Sequence, residues 1–223
     1  MFWDKVYSDN GNVWGTNPSE LACVAVTYLR AYKPDNQPMS IVDIGCGYGR
    51  DTLYLANVLQ CTVLGIDRSA KAIEIASSIL TNVNQETVIF RQCDFCDLEY
   101  EKYDIVFTSH LYHLLNGDER KKLRRTINRL LKPKGLLFLS TLSVNDPEHY
   151  GKGNLVPGEP NSFYDKTYLH LCTRDELLDD FGFLYMKDIY EHEFREPRTT
   201  GETHHHISWI MTGENIGDPL DGE

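Results

Sequence analysis

No stretch of this chain reaches the roughly 20 consecutive apolar residues that a membrane-spanning helix needs. Its opening, MFWDKVYSDN, lacks the basic leader and apolar run of a secretory signal. Basic charge is scarce as well: 22 Lys and Arg stand against 33 Asp and Glu, a formal net charge of −11. That balance speaks against a surface that tracks nucleic-acid phosphates. The nearest thing to a basic patch runs from Arg120 to Lys134, with Lys121, Lys122, Arg124, Arg125 and Arg129. It is spread around a predicted helix and reads as a solvated face. Neither an internal repeat nor a low-complexity tract is present. These absences lead to an expectation of a cytoplasmic protein with no nucleic-acid and no membrane partner. Its six cysteines (23, 46, 61, 93, 96 and 172) are then expected to be reduced thiols. The 223 residues suit a single core, and nothing in them fixes an oligomeric state.

What is present is alternation. An aromatic N-terminal segment holding Phe2, Trp3, Tyr7 and Trp14 reads as a loop or short helix. A helix is expected over 18–31, with Asn17 as N-cap and Pro18 at its first position. Short Val/Ile-rich strands follow at 40–44, 62–66, 87–92, 104–108 and 136–142, separated by helical stretches near 49–59, 69–83 and 118–132. This succession predicts a parallel sheet covered on both faces, with ligands at the carboxyl ends of the strands. The rhythm breaks at 143–166, where three Pro and three Gly accompany Tyr150, Phe163 and Tyr164. So long a connector predicts a lid or substrate loop. Thr173 and Glu176 read as a capping box for a short helix, and 183–194 with 205–212 as an antiparallel hairpin at the sheet edge. The acidic tail from Gly213 to Glu223 is expected to fray.

The sharpest signal is IVDIGCGYGRDT, 41–52, because it follows a strand and opens a helix. Gly45 and Gly47 let bare backbone turn and approach a ligand, Gly49 permits close helix-to-sheet contact, and Cys46 contributes its small size. A dinucleotide fingerprint would place its third glycine at 50, where this chain has Arg50. Asp67 ends the second strand, and a carboxylate there can accept from vicinal ribose hydroxyls of an adenosyl cofactor or of NAD. Its neighbour Arg68 is counted with it on the cofactor side. Asp94 follows the third strand in RQCDFCDL.

The D-x-G-x-G-x-G spacing from Asp43 to Gly49 resembles motif I of the class I S-adenosylmethionine-dependent methyltransferases. LLKPKGLLFLS (130–140) is similar to that family's segment before the fifth strand. The opening WDKVYSDNGNVWGTNPSELA resembles the entry segment of a TehB-like, thiol-methylating small-molecule branch. The resemblance implies a Rossmann-like, doubly wound, seven-stranded α/β sheet, mostly parallel with a C-terminal antiparallel hairpin and helices on both faces. It implies S-adenosylmethionine as cofactor: the glycine turn and Asp43 at the methionine end, Asp67 on the ribose, Asp94 on the adenine amino group, Phe95 against the ring. Residues 1–36 would cover the cofactor and 37–142 form the cofactor-binding core. Residues 143–212 would supply the substrate loop, short helix and hairpin, and 213–223 a tail.

On the acceptor side the family places residues at the end of strand four, here TSHLYHLL (108–115). The N-P-P-Y that the family uses on planar amide or base nitrogens is missing, which speaks against DNA or glutamine acceptors, and the expectation is a small-molecule or small-ion acceptor. Ser109, His110, Tyr112 and His113 can line the site together with Trp14 and Tyr150. His110 or His113 can act as base, since imidazole titrates near pH 6.5; each can equally be a structural residue. In THHHISWIMT (203–212), His204 and His206 share one strand face. An H-x-H pair supplies two metal ligands and needs a third. His170 and His192 are available by composition alone, so no metal is assigned and a polar edge of the substrate mouth remains the alternative. Cys93-x-x-Cys96 has no second pair at zinc spacing. Two rival readings stay open: a nicotinamide-dependent oxidoreductase and a non-catalytic methyltransferase-like module.

Overall fold

Alternating apolar residues send each strand's side chains to opposite faces, and a helix layer on each side covers them. In the computed structural model, which describes residues 2–32, 38–80, 86–99, 101–197 and 203–217, two helices come first: α1 (Phe2–Asn10) and α2 (Glu20–Tyr32). Then strand and helix alternate through β1 (Ser40–Ile44), α3 (Arg50–Leu59), β2 (Thr62–Asp67), α4 (Ala70–Ile79) and β3 (Val88–Gln92). After these come β4 (Tyr103–Ser109), α5 (Gly117–Leu130) and β5 (Leu131–Leu142). Three short strands follow, β6 (Asn154–Leu155), β7 (Ser162–Tyr164) and β8 (Tyr168–His170), then α6 (Arg174–Asp180) and the long hairpin β9 (Tyr185–Pro197) and β10 (Thr203–Glu214).

The main sheet has the order β3-β2-β1-β4-β5-β10-β9. Its first five strands pair in parallel and β10 runs antiparallel to both β5 and β9. The expected seven-stranded, doubly wound sheet is therefore the observed one. Ile41, Ile105, Phe107 and Phe138 pack on one face with Leu21, Val26 and Leu55. Their chain neighbours Val42, Val106 and Leu137 pack on the other with Leu123, Ile127 and Leu177. Truncating a side chain as enclosed as Phe107, which is fully buried, costs about 3–5 kcal/mol by the usual cavity penalty. Strand order reverses between β1 and β4, which fixes the crevice at their carboxyl ends as the ligand position.

Several boundaries differ from the sequence reading for identifiable reasons. Ser19, not Asn17, caps α2, its Oγ accepting from Ala22 N at 3.2 Å. Helix α5 begins at an Asn116–Glu119 capping box, one residue before the acidic pair taken as its start. Thr173 accepts from Glu176 N at 3.2 Å, but the Glu176 carboxylate turns away to His170 Nε2 at 2.6 Å, so the box is only half made. The segment 143–166 contains most of a small antiparallel sheet, β6-β7-β8, that a connector would not have. The basic helix is not a purely solvated face either. Arg120 is 7% exposed, donating to Leu115 O at 2.7 Å and Tyr168 Oη at 2.8 Å, and Arg124 pairs with Asp180 at 2.9 Å. The expected end of the third helix near Val83, most of the turn at 196–202 and the end of the tail lie outside the described residues. Among the described residues no helix is long and apolar enough to cross a membrane.

Candidate cofactor crevice and acceptor site

The glycine turn is tied back to the neighbouring strand before any ligand is considered. Gly45 N and Cys46 N both donate to Ile66 O, at 2.8 and 2.9 Å. Gly47 N donates to Asp67 Oδ2 at 3.0 Å, and Ser69 N to Asp67 Oδ1 at 2.8 Å, so each oxygen of Asp67 already has one fixed partner. Burial raises this carboxyl's pKa, against the backbone donors that lower it. Gly49 has a φ of +81°, and a Cβ there would sit 2.4 Å from Phe90 Cζ, so the close approach requires glycine. Asp43, 2% exposed at the end of β1, accepts from Thr52 Oγ1 at 2.5 Å; burial pushes its pKa up to about 8. The Cys46 thiol is likewise pushed up by burial.

The N-terminal segment lies against this turn. Trp14 stacks on Tyr48 with ring centres 6.3 Å apart and planes 11° apart, and Tyr7 meets both rings edge-on. Tyr48 Oη donates to Gly15 O at 2.6 Å. Arg50, the residue that broke the dinucleotide pattern, donates to Trp14 O at 3.0 Å. Asp4 accepts from Ser69 Oγ at 2.7 Å, joining α1 to the start of α4. The signal for this strap was the aromatic content of the opening residues; the anchoring roles of Arg50 and Asp4 carry no local signature.

At the end of β3, Asp94 caps a 3-10 turn at 95–97, accepting from Cys96 N at 2.9 Å, and pairs with Arg68 at 3.2 Å. Phe95 corrects an expectation: its ring is 4% exposed and packs into the core with Leu98 and Tyr103, so it does not present a face to a ligand. Cys93 and Cys96 are free thiols.

At the end of β4 the acceptor-side candidates part company. Ser109 Oγ meets Ser140 Oγ at 3.2 Å. His110 sits at φ +54°, a left-handed conformation that bulky residues rarely adopt, with its N–H donated to Ser140 O at 3.1 Å. Leu111 follows, and its side chain lies where a Cβ on Gly45 would reach, 3.1 Å away. The end of β4 therefore touches the glycine turn. Tyr112 does not line this site: it is fully buried against Phe181, and its hydroxyl donates to Asp180 and accepts from Arg124. His113 is also misplaced for a base. It is 6% exposed, its Nδ1 accepts from Leu142 N at 3.4 Å, and burial drives its pKa well below the usual imidazole value. Tyr150 is exposed and rests edge-on against Phe163. Its neighbour His149 is the loop residue that joins the histidines.

Those histidines form a connected group. The His110 ring lies 5.7 Å from His113 and 5.8 Å from Phe194, which lies 5.4 Å from His206. His206 in turn lies 5.9 Å from His204 and 5.1 Å from His149. Asp146 sits between His149 and His206, with Oδ1 2.9 Å from His149 Nδ1 and Oδ2 3.2 Å from His206 Nδ1. The sequence reading missed Asp146 and His149, whose D-x-x-H spacing was a weak signal inside a loop. The two residues it offered as partners sit elsewhere: His170 lies between Ser162 and Glu176, and His192 stacks on Phe194 beside Glu20.

Comparison with known proteins agrees with this geometry. Residues 41–135 match the Methyltransferase domain family. The chain is 34% identical over 125 residues to a carboxy-S-adenosyl-L-methionine synthase of Trichodesmium erythraeum, covering 54% of this chain and 48% of that protein. It spans about half the length of the curated relatives it matches. A solved structure described for the conversion of a disulfide bond into a thioacetal group during echinomycin biosynthesis superposes with a TM-score of 0.71. That match has 23% identity and covers 97% of this chain and 92% of the other. TehB from Haemophilus influenzae superposes with a TM-score of 0.66 at 14% identity, over 96% and 67% of the two chains. The fold is thus Rossmann-like, the one that solved methyltransferase structures share. Residues 41–135 are similar to a methyltransferase domain, and the whole chain has the fold of S-adenosylmethionine-dependent methyltransferases of known structure.

Proposed function

We propose that this protein transfers a methyl group from S-adenosylmethionine to a small molecule or small ion. The observation that carries the reading is the pairing of Gly47 N with Asp67 at the crest of the sheet, with Asp43 and Asp94 at the ends of the flanking strands. Bare peptide at 45–49 suits the methionine end of the cofactor, and Asp67 keeps lone pairs for ribose hydroxyls beyond its two backbone donors. The sulfonium supplies an electrophilic methyl carbon, so the chain's task is orientation and exclusion of water. The segment at 2–17 supplies an aromatic wall over the turn. Holding nucleophile and methyl in line is worth an effective concentration of about 10⁵–10⁸ M.

His110 is the favoured base where the acceptor needs one. It stands in a strained backbone conformation beside the glycine turn, whereas His113 spends its acceptor nitrogen on Leu142. A thiolate acceptor would need no base at all. The assay is transfer from a methyl-labelled donor to thiols, metalloid oxyanions, amines and small carboxylates. Labelled product with release of S-adenosylhomocysteine is expected. His110→Asn should lower turnover on a protonated acceptor while leaving S-adenosylhomocysteine affinity intact.

A second reading has its own support in the identity with carboxy-S-adenosyl-L-methionine synthase: the cofactor itself is the substrate. Mass spectrometry separates the two. A modified, heavier sulfonium cofactor with no S-adenosylhomocysteine would replace methyl transfer by that reaction.

A further inference from the structure

We propose that Asp146, His149 and His206 form a binding site for one divalent transition-metal ion of the zinc class, beside the acceptor end of the sheet. One ligand atom from each residue lies within 4.8 Å of the others. The nitrogen-to-oxygen separations of 2.9 and 3.2 Å are hydrogen-bond distances. They engage the two oxygens of one carboxylate, and separation by a few tenths of an ångström would bring them to the roughly 3.3–3.6 Å between ligands bonded tetrahedrally at about 2.0–2.2 Å. Two imidazoles and one carboxylate are a donor set that zinc, iron and related ions accept while keeping a position open.

The fold has built this group from distant pieces. Asp146 and His149 come from the loop after β5, and His206 from β10. The Asp146 side chain has no solvent exposure, and three backbone donors hold it: Glu148 N at 3.1 Å, His149 N at 2.9 Å and Ile207 N at 2.9 Å. Such support fixes a ligand's direction before the ion arrives. The His149 side chain is 28% exposed, which gives a path from solvent. The run of rings from His206 through Phe194 to His110 connects the group to the end of β4. The ion's task rests on the methyltransferase reading: it would hold an acceptor sulfur or oxygen whose proton has passed to solvent. That atom would then form its bond to carbon as the sulfonium C–S bond breaks, leaving neutral S-adenosylhomocysteine.

The test is titration of the chelator-stripped full chain with cobalt(II), read by visible absorption, followed by displacement with zinc. One equivalent is expected. His149→Asn, a partly exposed position, should weaken binding at least tenfold, as should Asp146→Asn. His205→Asn, on the same strand but outside the group, should leave binding unchanged. No cobalt spectrum in the wild type, or binding indifferent to His149→Asn, would mean that Asp146 holds only protons between the rings and would overturn the site. S-adenosylhomocysteine is titrated in parallel. Cofactor binding without metal binding rejects the metal site alone. Metal binding without cofactor binding rejects the methyltransferase reading and leaves the site standing.

Discussion

The two ends of the crevice are built by different means. The proposed cofactor end uses one turn at 45–49 and a single carboxylate near the end of each of β1, β2 and β3, Asp67 and Asp94 fixed by backbone hydrogen bonds and Asp43 by the Thr52 hydroxyl. The proposed acceptor end uses side chains gathered from β4, the loop after β5, β9 and β10, held by ring contacts and one buried carboxylate. A group shared by every substrate of a family can be gripped by peptide atoms, which no side-chain substitution removes. A variable acceptor needs side chains that substitution can change.

Breaking the cofactor end should produce the largest effects. Gly49→Ala places a methyl group against Phe90 in a left-handed conformation. Loss of about 2–4 kcal/mol is expected from the strain and overpacking, measured by urea unfolding. Asp67→Ala should weaken S-adenosylhomocysteine at least tenfold, about 1.4 kcal/mol or more by calorimetry. Unchanged affinity would remove Asp67 from the ribose.

The pH dependence of stability sharpens the contrast. The Asp43 carboxyl is pushed up to about 8 in the fold, from 3.8 in the unfolded chain. Its contribution is therefore present below about pH 4 and is lost as pH rises toward 8. The slope is at most about 1.4 kcal/mol per pH unit. Urea stability of Asp43→Asn, compared with the wild type from pH 5 to 8, should decline less. Equal declines would mean that the Asp43 proton is not held by burial. The smallest effect belongs to the strap: Arg50→Met removes the donor to Trp14 O. It should speed cofactor release a few-fold, under about 1 kcal/mol, with little change in melting temperature.

Legibility in the sequence follows the same division. Short Val/Ile-rich runs between helical stretches placed every strand of the parallel sheet, because burial on both faces is written locally in residue type. The spacing from Asp43 to Gly49 pointed to the turn, and Asp67 and Asp94 to the strand ends. Tyr112, His113 and Phe95 were misread because each sits one or two residues from a crevice position. A strand end or a 3-10 turn decides which way such a side chain faces, and no spacing rule encodes that. Asp146 and His149 were missed because their partner, His206, lies 60 positions from Asp146. Only the pairing of β10 with β5 brings them together. The three short strands between 154 and 170 escaped notice since each has too few residues to show a period.

The central claim is that adenosine and its amino-acid arm lie across the ends of β1, β2 and β3. Isothermal titration of the wild-type protein with S-adenosylhomocysteine, and separately with NADH, tests it directly. One saturable site for the first and no heat for the second is the expected result. No binding of S-adenosylhomocysteine, or binding of NADH in its place, contradicts it.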